Sequence, residues 1–501
     1  MADNGVLIGF SDHPEQLLLS RANRHGLVAG ATGTGKTVTL QVLAQGLSDA
    51  GVPVFAADVK GDLCGIAAVG APNEKMLARA QGMGLTLTPA AAPTVFWDLF
   101  GEAGHPIRAT VSEMGPLLIS RMLELNDVQE GVLMVVFKAA DEEGLLLLDL
   151  KDLQAALSYA SENAKELSAK YGNISPTTIA TIQRNLLVLE TEGGTNLFGE
   201  PALALADIMR TDASGKGYVN ILAANKLIAS PRLYATFLLW LMSELFEELP
   251  EVGDPEKPRL AFFFDEAHLL FRDAPKALLE KVEQVVRLIR SKGVGVYFVT
   301  QNPADIPDTV LGQLGNRVQH ALRAYTPADQ KGLRAAAESF RTNPAFDTAE
   351  AIQALGVGEA LVSVLDEKGA PTVVQKTLIR PPVSRLGPLQ PAERAAVMAA
   401  SPVRGVYDQV VDRESAYEML QKKAEPEPEA PQPRPHGGPW AGDEASGRPA
   451  PQARASNRQS MGEAFAKSML RTIGSQVGRE LIRGVLGGLV GSSRPTRRRR
   501  Y

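Results

Sequence analysis

Short apolar runs recur along the chain, and segments with the spacing of amphipathic helices separate them. Runs of this length, bounded by turn-forming or charged residues, indicate buried strands. Strands are predicted over 25–30, 52–58, 94–99, 219–224, 260–265, 294–300, 317–321 and 361–365. Helices are predicted over 37–50 and 275–291, the first with Val38, Val42 and Leu43 on its apolar face. The alternation predicts an α/β fold with a mostly parallel sheet covered on both faces.

The pattern changes between the third and fourth predicted strands. From about residue 108 to 193, long amphipathic stretches dominate, which indicates a helical insertion. Residues 424–460 are rich in Pro, Gly, Ala, Glu and Arg and cannot bury enough apolar surface to offset their ordering entropy, so we expect a flexible linker. We divide the chain into six segments. They are the first part of a core (1–107), the mostly helical insertion (108–215), the second part of the core (216–385), a helical extension (386–423), the linker (424–460), and an amphipathic helix with a basic tail (461–501).

Charge and cysteine content narrow the function. The 501 residues carry a formal net charge of -5, which excludes a surface built wholly for phosphate backbones and leaves nucleic-acid contact to a local basic stripe. The single cysteine, Cys64, excludes an intrachain disulfide framework and fits a reducing compartment; we interpret it as an apolar filler rather than a reactive thiol. No signal peptide is evident, and the apolar run 235–242 is too short to span a bilayer. We therefore expect a cytoplasmic protein without an integral membrane segment.

The loop after the first predicted strand has the chemistry of phosphate binding. Its residues Gly-Ala-Thr-Gly-Thr-Gly-Lys-Thr match the pattern G-x-x-x-x-G-K-[ST] throughout. Backbone N–H groups turn inward around the β-phosphate, Lys36 reaches the β- and γ-phosphates, and the Thr37 hydroxyl ligates magnesium. An ordinary glycine-rich turn is the alternative, which the flanking strand and helix disfavour. The predicted ATP-binding residues are Gly30, Ala31, Thr32, Gly33, Thr34, Gly35, Lys36, Thr37 and Val38.

Two carboxylates follow the apolar strand 260–264 at the edge where ligands of such sheets bind. We predict that Asp265 holds the magnesium, through water, and that Glu266 polarises the attacking water. Acidic residues at the end of a buried strand are common, so this interpretation depends on the phosphate loop. His268 is interpreted as a helix-start residue near the site rather than a ligand.

Polar residues also end two other predicted strands. Gln301 follows 294–300, and its amide is predicted to sense the γ-phosphate or the lytic water, with a strand-end cap as the alternative. The loop Asp58-Val-Lys60-Gly-Asp62 follows 52–57. Three interpretations of this loop stay open, namely that it lines the nucleotide, contacts a substrate strand, or is only a charged turn.

Arginines near the predicted core could complete phosphoryl transfer. The helix 275–291 turns Leu278, Val282, Val285, Val286 and Ile289 inward and leaves Arg287 and Arg290 outside. Either could be an arginine finger, acting within its subunit or on a neighbour, and Arg317 is a further candidate. The alternatives are a helix ion pair for Arg287, four residues after Glu283, and a favourable dipole for Arg290 in the last turn.

These motifs together resemble the HerA/FtsK branch of RecA-like ATPases, and most closely a bacterial family of HerA-like helicase C-terminal domains. The resemblance covers roughly residues 5–420 and the C-terminal helix, and it is most specific over 263–271, 285–301 and 314–323. It implies a RecA-like P-loop NTPase core, ATP hydrolysis with Mg²⁺, hexameric rings, and an arginine near Arg290 working at a subunit interface.

The chain also departs from this pattern. Only about 24 residues precede the first predicted strand, so we expect the N-terminal barrel of HerA translocases to be missing, and no winged-helix module of the FtsK kind is evident. A superfamily 2 helicase of the DEAH type would rest on Asp265–His268 alone, and the other motifs of that class are not found.

Two functions remain open at this stage. The first is an ATP-driven ring motor, a homo-oligomer that acts on DNA or on a protein chain. The second is an ATP-regulated switch or scaffold whose C-terminal helix, 461–489, binds a protein partner. That helix could equally serve self-association, or with its arginines anchor a membrane or nucleic acid.

Overall fold

A 12-stranded sheet is the frame of the part of the chain that the computed structural model describes, residues 4–271 and 276–424. The strands are β1 Gly5–Phe10, β2 Pro14–Leu18, β3 Gly26–Ala29, β4 Val54–Asp58, β5 Thr94–Asp98, β6 His105–Pro106, β7 Val219–Ala223, β8 Leu260–Phe264, β9 Val294–Thr300, β10 Asn316–Gln319, β11 Glu359–Ser363 and β12 Gln375–Ile379. Their order across the sheet is β2-β1-β12-β11-β10-β3-β9-β8-β4-β7-β5-β6.

The strands from β10 to β6 are parallel to one another, and those from β2 to β11 form an antiparallel extension. In the parallel part, β9 lies between β3 and β8, so the strand before the glycine loop and the strand before the two carboxylates are not neighbours. This is the sheet of a RecA-like P-loop NTPase fold, which confirms the fold class predicted from the sequence.

Each strand predicted from the sequence is present, with bounds shifted by at most two residues and with β9 matched at both ends. Four strands were missed: β1, β2, β6 and β12. The expectation that about 24 residues precede the first strand is therefore wrong. β1 and β2 form an antiparallel hairpin that attaches to β12 through Gly9 and Phe10. β1 is an apolar run, GVLIGF, that carried a strand signal and was overlooked, whereas β2, PEQLL, alternates exposed and buried positions and has a weaker signal.

Helices cover the sheet on both faces. They are α1 Lys36–Asp49, α2 Glu74–Gly82, α3 Val111–Met122, α4 Asp127–Glu142, α5 Leu150–Glu162, α6 Ala164–Tyr171, α7 Pro176–Leu189, α8 Thr195–Leu197, α9 Leu205–Ile208, α10 Pro231–Glu248, α11 His268–Phe271, α12 Lys276–Ile289, α13 Asp308–Leu311, α14 Pro327–Glu338, α15 Thr348–Ala354, α16 Pro391–Ala399 and α17 Ala416–Ala424.

Alternate strand residues separate two cores. Phe55 and Ala57 of β4 join the larger core, which includes apolar residues of α3, α4, α5, α7, α10 and α12. Val54 and Ala56 face the other way and pack with α1. This follows from the two-residue period of a strand, and burial of both faces accounts for the nearly continuous apolar runs of the parallel strands.

The helices α3, α4, α5, α7, α10 and α12 of the larger core form what we call the helical layer. Several of them start after a residue whose side chain caps their first backbone N–H groups. Thr110 accepts a hydrogen bond from Glu113 N at the start of α3, and Asn126 accepts bonds from Val128 N and Gln129 N at the start of α4. Such caps satisfy donors that the first turn of a helix leaves unpaired. The helical layer packs on the face of the sheet opposite α1.

The predicted linker beyond residue 424 and the predicted helix 461–489 lie outside the described residues. Among the described helices, none has the length and apolarity that crossing a bilayer requires.

Candidate nucleotide site

The glycine loop lies between β3 and α1 at the carboxyl edge of the parallel strands. Its first residues are tied to both neighbouring strands, because Gly30 N donates to Thr300 O and Ala31 N donates to Ala321 O. Gly30 has a φ of 151°, and a Cβ at this position would lie 2.5 Å from His320 Cβ. The position therefore requires glycine, because a side chain would push the loop off β10.

A second group of hydrogen bonds fixes the glycine loop, and these involve Gly358, His320 and residues of the loop itself. Thr34 O accepts a hydrogen bond from Gly358 N, and Thr34 Oγ1 donates to Ala31 O. His320 Nδ1 donates to Glu359 O, so its Nε2 accepts from the Thr39 hydroxyl at 2.8 Å. Burial lowers the pKa of His320 to about 4, consistent with this neutral ring.

Lys36 is buried at the first residue of α1. Its Nζ donates to Gly30 O at 2.6 Å and to Ala31 O at 3.1 Å, so the ammonium lies over its own loop. Burial lowers the pKa of Lys36 and the Lys60 charge lowers it further, while the Glu266 and Asp265 carboxylates act in the opposite sense. The lysine and the two carboxylates are thus close enough for their charges to interact.

The chain turns sharply after β8 to present the two carboxylates. Glu266 has a φ of 49°, in the left-handed region that non-glycine residues rarely occupy, and Asp265 Oδ1 accepts a hydrogen bond from Glu266 N. Strain of this kind costs about 1–3 kcal/mol and persists only where surrounding contacts enforce it. Here those contacts place the Glu266 side chain inside the site.

Three neighbours surround the Glu266 carboxylate. Lys60 Nζ lies 2.5 Å from Oε1, Gln301 Nε2 donates to Oε2 at 3.2 Å, and His268 Nδ1 lies 3.3 Å from Oε2. Burial raises the pKa of Glu266, but Lys60, Gln301 and His268 outweigh it and hold the pKa below its ordinary value. Glu266 is therefore an ionised carboxylate at neutral pH.

The loop after β4 brings two more charged residues to the site. Asp58 Oδ1 accepts from Gly61 N at 2.7 Å, which closes a tight turn, and Thr37 Oγ1 donates to Asp62 Oδ2 at 3.3 Å. Lys60 and Asp62 thus lie beside the glycine loop and the carboxylates. The loop therefore lies at the edge where the nucleotide is predicted to bind, and the three interpretations that the sequence left open for it stay predictions.

Two carboxylates at this edge are poorly compensated. Burial and the Glu266 charge raise the pKa of Asp265 to about 7, and burial raises that of Asp58 to about 6. A divalent cation near Asp265 would relieve this destabilisation. Within the described ranges, no cluster of three or more His, Cys, Asp or Glu side chains could hold a metal ion alone. Magnesium bound to phosphates needs only one or two protein ligands, so Thr37 and Asp265 or Asp62 fit that role.

The remaining predicted residues divide into two groups. Thr32 and Gly33 are exposed at the tip of the loop, whereas Val38 is partly buried and packs with the core beneath α1. His268 begins α11, as predicted, although it also lies beside Glu266.

Arg290 lies at the opposite, amino edge of the sheet. It precedes β9, whose other end carries Gln301, and the seven residues of β9 separate the two edges by about 20 Å. Its guanidinium pairs with Asp254 at 3.4 Å, and Asn23 donates to its carbonyl oxygen. This geometry does not fit action of Arg290 on the site of its own subunit. Two alternatives remain, action on a neighbouring subunit and a purely structural role in the last turn of the helix.

Arg317 also belongs to the amino side. It stands opposite Leu27 in β3, and its guanidinium donates to three backbone carbonyls, Leu314 O, Ser339 O and Leu311 O. Because these bonds engage each of its nitrogens, Arg317 holds the turn before β10 and does not reach the glycine loop. This position does not fit the predicted role of Arg317 as an arginine finger.

Sequence reasoning left Lys60 and Asp62 out of the predicted site. The signal that could have selected them is position: β4 pairs with β8 so that Ala57 lies opposite Phe264, and the residues that follow each strand meet at one edge. The order of the strands, which the sequence pattern did not supply, is what makes this neighbour relation visible.

A glycine loop between a buried strand and a helix, with two carboxylates ending the strand beyond β9, defines a P-loop NTPase of the RecA-like class. The chain belongs to the helicase HerA-like C-terminal family, whose sequence model matches residues 6–495.

Curated relatives carry a related name. The chain is similar to the DNA double-strand break repair helicase HerA of Sulfolobus acidocaldarius, with 23% identity over 365 residues, 72% of this chain and 66% of that protein. It is similar to the protein of the same name from Sulfurisphaera tokodaii, with 23% identity over 372 residues and the same shares. The chain thus spans 66%, just under two thirds, of the length of these relatives.

Solved structures show a more distant likeness. The bacterial conjugative coupling protein TrwBdeltaN70 gives a TM-score of 0.47 at 17% identity, covering 77% of this chain and 91% of that chain. VirB4 of Thermoanaerobacter pseudethanolicus gives 0.47 at 15% identity, covering 78% and 98%. Similarity at this level does not bear on function.

Proposed function

We propose that this chain hydrolyses ATP with magnesium at the carboxyl edge of its sheet, and that a ring of its subunits uses the cycle to move along DNA. The observation that carries the hydrolytic part is the meeting of the Lys36 loop, the Glu266 carboxylate and the Gln301 amide at one edge. Family membership and the relatives named as DNA repair helicases support the motor.

The residues of this edge have separate roles in the proposed reaction. Lys36 exchanges the carbonyls of Gly30 and Ala31 for phosphate oxygens, and the loop N–H groups bind the β-phosphate. Water attacks the γ-phosphorus, the bond to the ADP oxygen breaks, and Glu266 accepts the proton of the water. Gln301 orients that water. Magnesium, held by Thr37 and Asp265 when bound, neutralises charge on the β- and γ-phosphates.

Phosphate release measured with and without single- and double-stranded DNA tests both parts. We expect DNA to stimulate turnover several-fold, and Lys36→Ala to lower it by about 100-fold or more because the phosphates lose their cation. Parental turnover in Lys36→Ala would contradict the site. Turnover in the parental chain that is indifferent to DNA would contradict the motor.

Arg290 is proposed as a finger for the neighbouring subunit, since its exposed guanidinium lies at the amino edge. Mixing two inactive variants, Lys36→Ala and Arg290→Ala, tests this. In an equal mixture, about a quarter of the interfaces join an intact loop to an intact arginine, so activity should recover to that extent. If each variant is inactive and the mixture stays inactive, Arg290 does not act across an interface.

The alternative of an ATP-regulated switch that binds a partner through 461–489 concerns residues outside the described ranges. ATP turnover without any DNA effect would favour it over the motor. Size measurement by light scattering, with and without ATP, then separates a ring from a monomeric switch.

A further inference from the structure

Lys60 makes the most direct contact with the Glu266 carboxylate. Its Nζ lies 2.5 Å from Oε1, whereas Gln301 Nε2 lies 3.2 Å from Oε2 and His268 Nδ1 3.3 Å. Lys60 is also the closest permanent cation that the described residues bring to this carboxylate. The Lys60 side chain is 43% exposed, but that of Glu266 is only 5% exposed. The pair thus joins a buried anion to a cation that reaches in from solvent.

The loop geometry fixes where Lys60 stands. β4 and β8 are parallel neighbours, so Lys60 and Glu266 leave the sheet side by side. The turn is closed by the bond from Gly61 N to Asp58 Oδ1, with Gly61 in the left-handed region at a φ of 76°. Cys64 Sγ donates to Gly61 O at 3.1 Å from the following turn. The backbone that carries Lys60 is therefore held in place before any ligand binds.

Glu266 needs such a partner because its surroundings are anionic. The Asp265 carboxylate is its chain neighbour and lies close to it, since Asp265 Oδ1 accepts a hydrogen bond from Glu266 N at 2.9 Å. In the proposed reaction a triphosphate adds negative charge on the loop side. Without a countercharge, repulsion would turn the Glu266 carboxylate away from the phosphates.

We propose that Lys60 is a positioning residue for Glu266, holding its carboxylate at the place from which it meets the attacking water. This rests on the proposed ATP hydrolysis. Lys60 acts through Glu266 and not on the nucleotide, so its removal should slow the chemical step and leave nucleotide binding intact.

Steady-state ATP turnover and binding of a fluorescent non-hydrolysable ATP analogue test the proposal. For Lys60→Met we expect kcat to fall by about 10- to 50-fold, with KM and analogue affinity within about threefold of parental values. Lys60→Arg restores the charge and should recover most of kcat. The matched control is Lys226→Met, which removes a lysine paired with surface Glu102 and should change neither quantity.

A double-mutant cycle with Glu266→Gln separates positioning from other roles. Labelled phosphate release in a single turnover should show no further loss when Lys60→Met is added to Glu266→Gln, because the group it positions is gone. An equal loss in both backgrounds, weaker analogue binding, or a lower melting temperature would overturn the proposal. Parental turnover in Lys60→Met while Glu266→Gln is slow overturns this inference alone, whereas parental turnover in Glu266→Gln overturns the proposed hydrolysis.

Discussion

The two edges of the parallel sheet hold their polar groups in opposite ways. At the carboxyl edge, Glu266 sits in a left-handed conformation, the pKa of Asp265 is raised, and that of Lys36 is lowered. Among the described residues, Lys36 Nζ bonds to two carbonyls of its own loop, Gly30 O and Ala31 O. Asp265 and Lys36 are buried and incompletely compensated, and Glu266 depends on Lys60, Gln301 and His268 for the stability of its charge.

At the amino edge the side chains of His25, Asn316 and Arg317 are hydrogen-bonded, although the buried Asn23 Oδ1 has no partner among the described residues. The His25 ring accepts from Val296 N and donates to Val286 O. Asn316 donates to Arg21 O and His25 O and accepts from Leu365 N, and Arg317 donates to three carbonyls.

The difference teaches where stability and function are located. A buried polar group that is fully bonded stabilises the turn it belongs to, and its loss leaves unpaired partners. A buried charge that lacks full compensation marks a site where a bound ligand can supply the missing interactions. Substitutions of the hydrogen-bonded groups His25, Asn316 and Arg317 at the amino edge should therefore reduce folding stability, and those at the carboxyl edge should reduce turnover. Arg290, which is proposed to act on a neighbouring subunit, is the exception at the amino edge.

The largest effect is expected for Glu266→Gln. Loss of the general base should lower kcat by about 100- to 1000-fold, with analogue affinity within a few-fold. The free energy of unfolding in urea should fall, because Lys60, Gln301 and His268 hold the pKa of Glu266 below its ordinary value and the ionised carboxylate therefore stabilises the folded chain. Glu102→Gln, which changes an exposed carboxylate, is the control and should be neutral. A large loss of stability without loss of turnover per folded molecule would reverse the assignment of this edge.

At the amino edge, Arg317→Met should show the opposite pattern. Three carbonyls, two of them partly buried, lose their donor, so we expect the free energy of unfolding to fall by about 2–3 kcal/mol. Turnover per folded molecule should be unchanged, as measured at a temperature where the variant is native. Arg341→Met removes an exposed arginine that donates to one carbonyl, Pro371 O, and should cost far less. Lost turnover at full stability would show that Arg317 acts in catalysis after all.

The sequence predicted the carboxyl edge better than the amino edge. A phosphate loop is a local pattern, and the strand that ends in Asp265 and Glu266 is a continuous apolar run, so both could be located without knowing their neighbours. Two other features of the site depend on the order of the strands. Because β9 lies between β3 and β8, its last residues bring Gln301 between the glycine loop and the two carboxylates, and because β4 is the other neighbour of β8, Lys60 reaches Glu266. Pairing between distant segments leaves no periodic signal in one sequence.

Arg290 and Arg317 illustrate the same limit. Each stands just before or at the start of a strand, and a single sequence shows an available cation but not which edge of the sheet it occupies. Asp254, which pairs with Arg290, lies in an irregular segment with no pattern of its own. The missed strands β2 and β12 likewise depend on antiparallel pairing that only the folded chain provides.

His25 should make stability depend on pH at the amino edge. Burial and the charges of Arg290 and Arg24 lower its pKa to about 4, although a bond to Val286 O acts in the opposite sense. Between about pH 6.5 and 4 the unfolded chain binds a proton that the folded chain does not, so stability is present above pH 6.5 and is lost as the pH falls. The loss attributable to His25 is at most about 3 kcal/mol.

Urea unfolding of the parental chain and of His25→Gln, measured from pH 4 to 8, isolates the contribution of His25 to the free energy of unfolding. The difference between the two stabilities should shrink as the pH falls below about 6.5. His13→Gln, at an exposed position, serves as the control and should leave the parental pH dependence in place. A difference that is constant with pH would mean that the ring is protonated in the native chain as readily as in the unfolded one.

The smallest effect on stability and turnover is expected for Thr39→Val, which removes a neutral, hydrogen-bonded hydroxyl at the carboxyl edge. Thr39 donates to His320 beneath the glycine loop, and Thr39→Val removes that bond while His320 keeps its bond to Glu359 O. We expect a loss of about 1 kcal/mol in the free energy of unfolding, with kcat within twofold. Thr181→Val, at an exposed helix position, is the control. If kcat fell severalfold instead, the position at the edge, and not the state of compensation, would determine what a polar group contributes. The comparison of the two edges would then have to be drawn by distance from the loop.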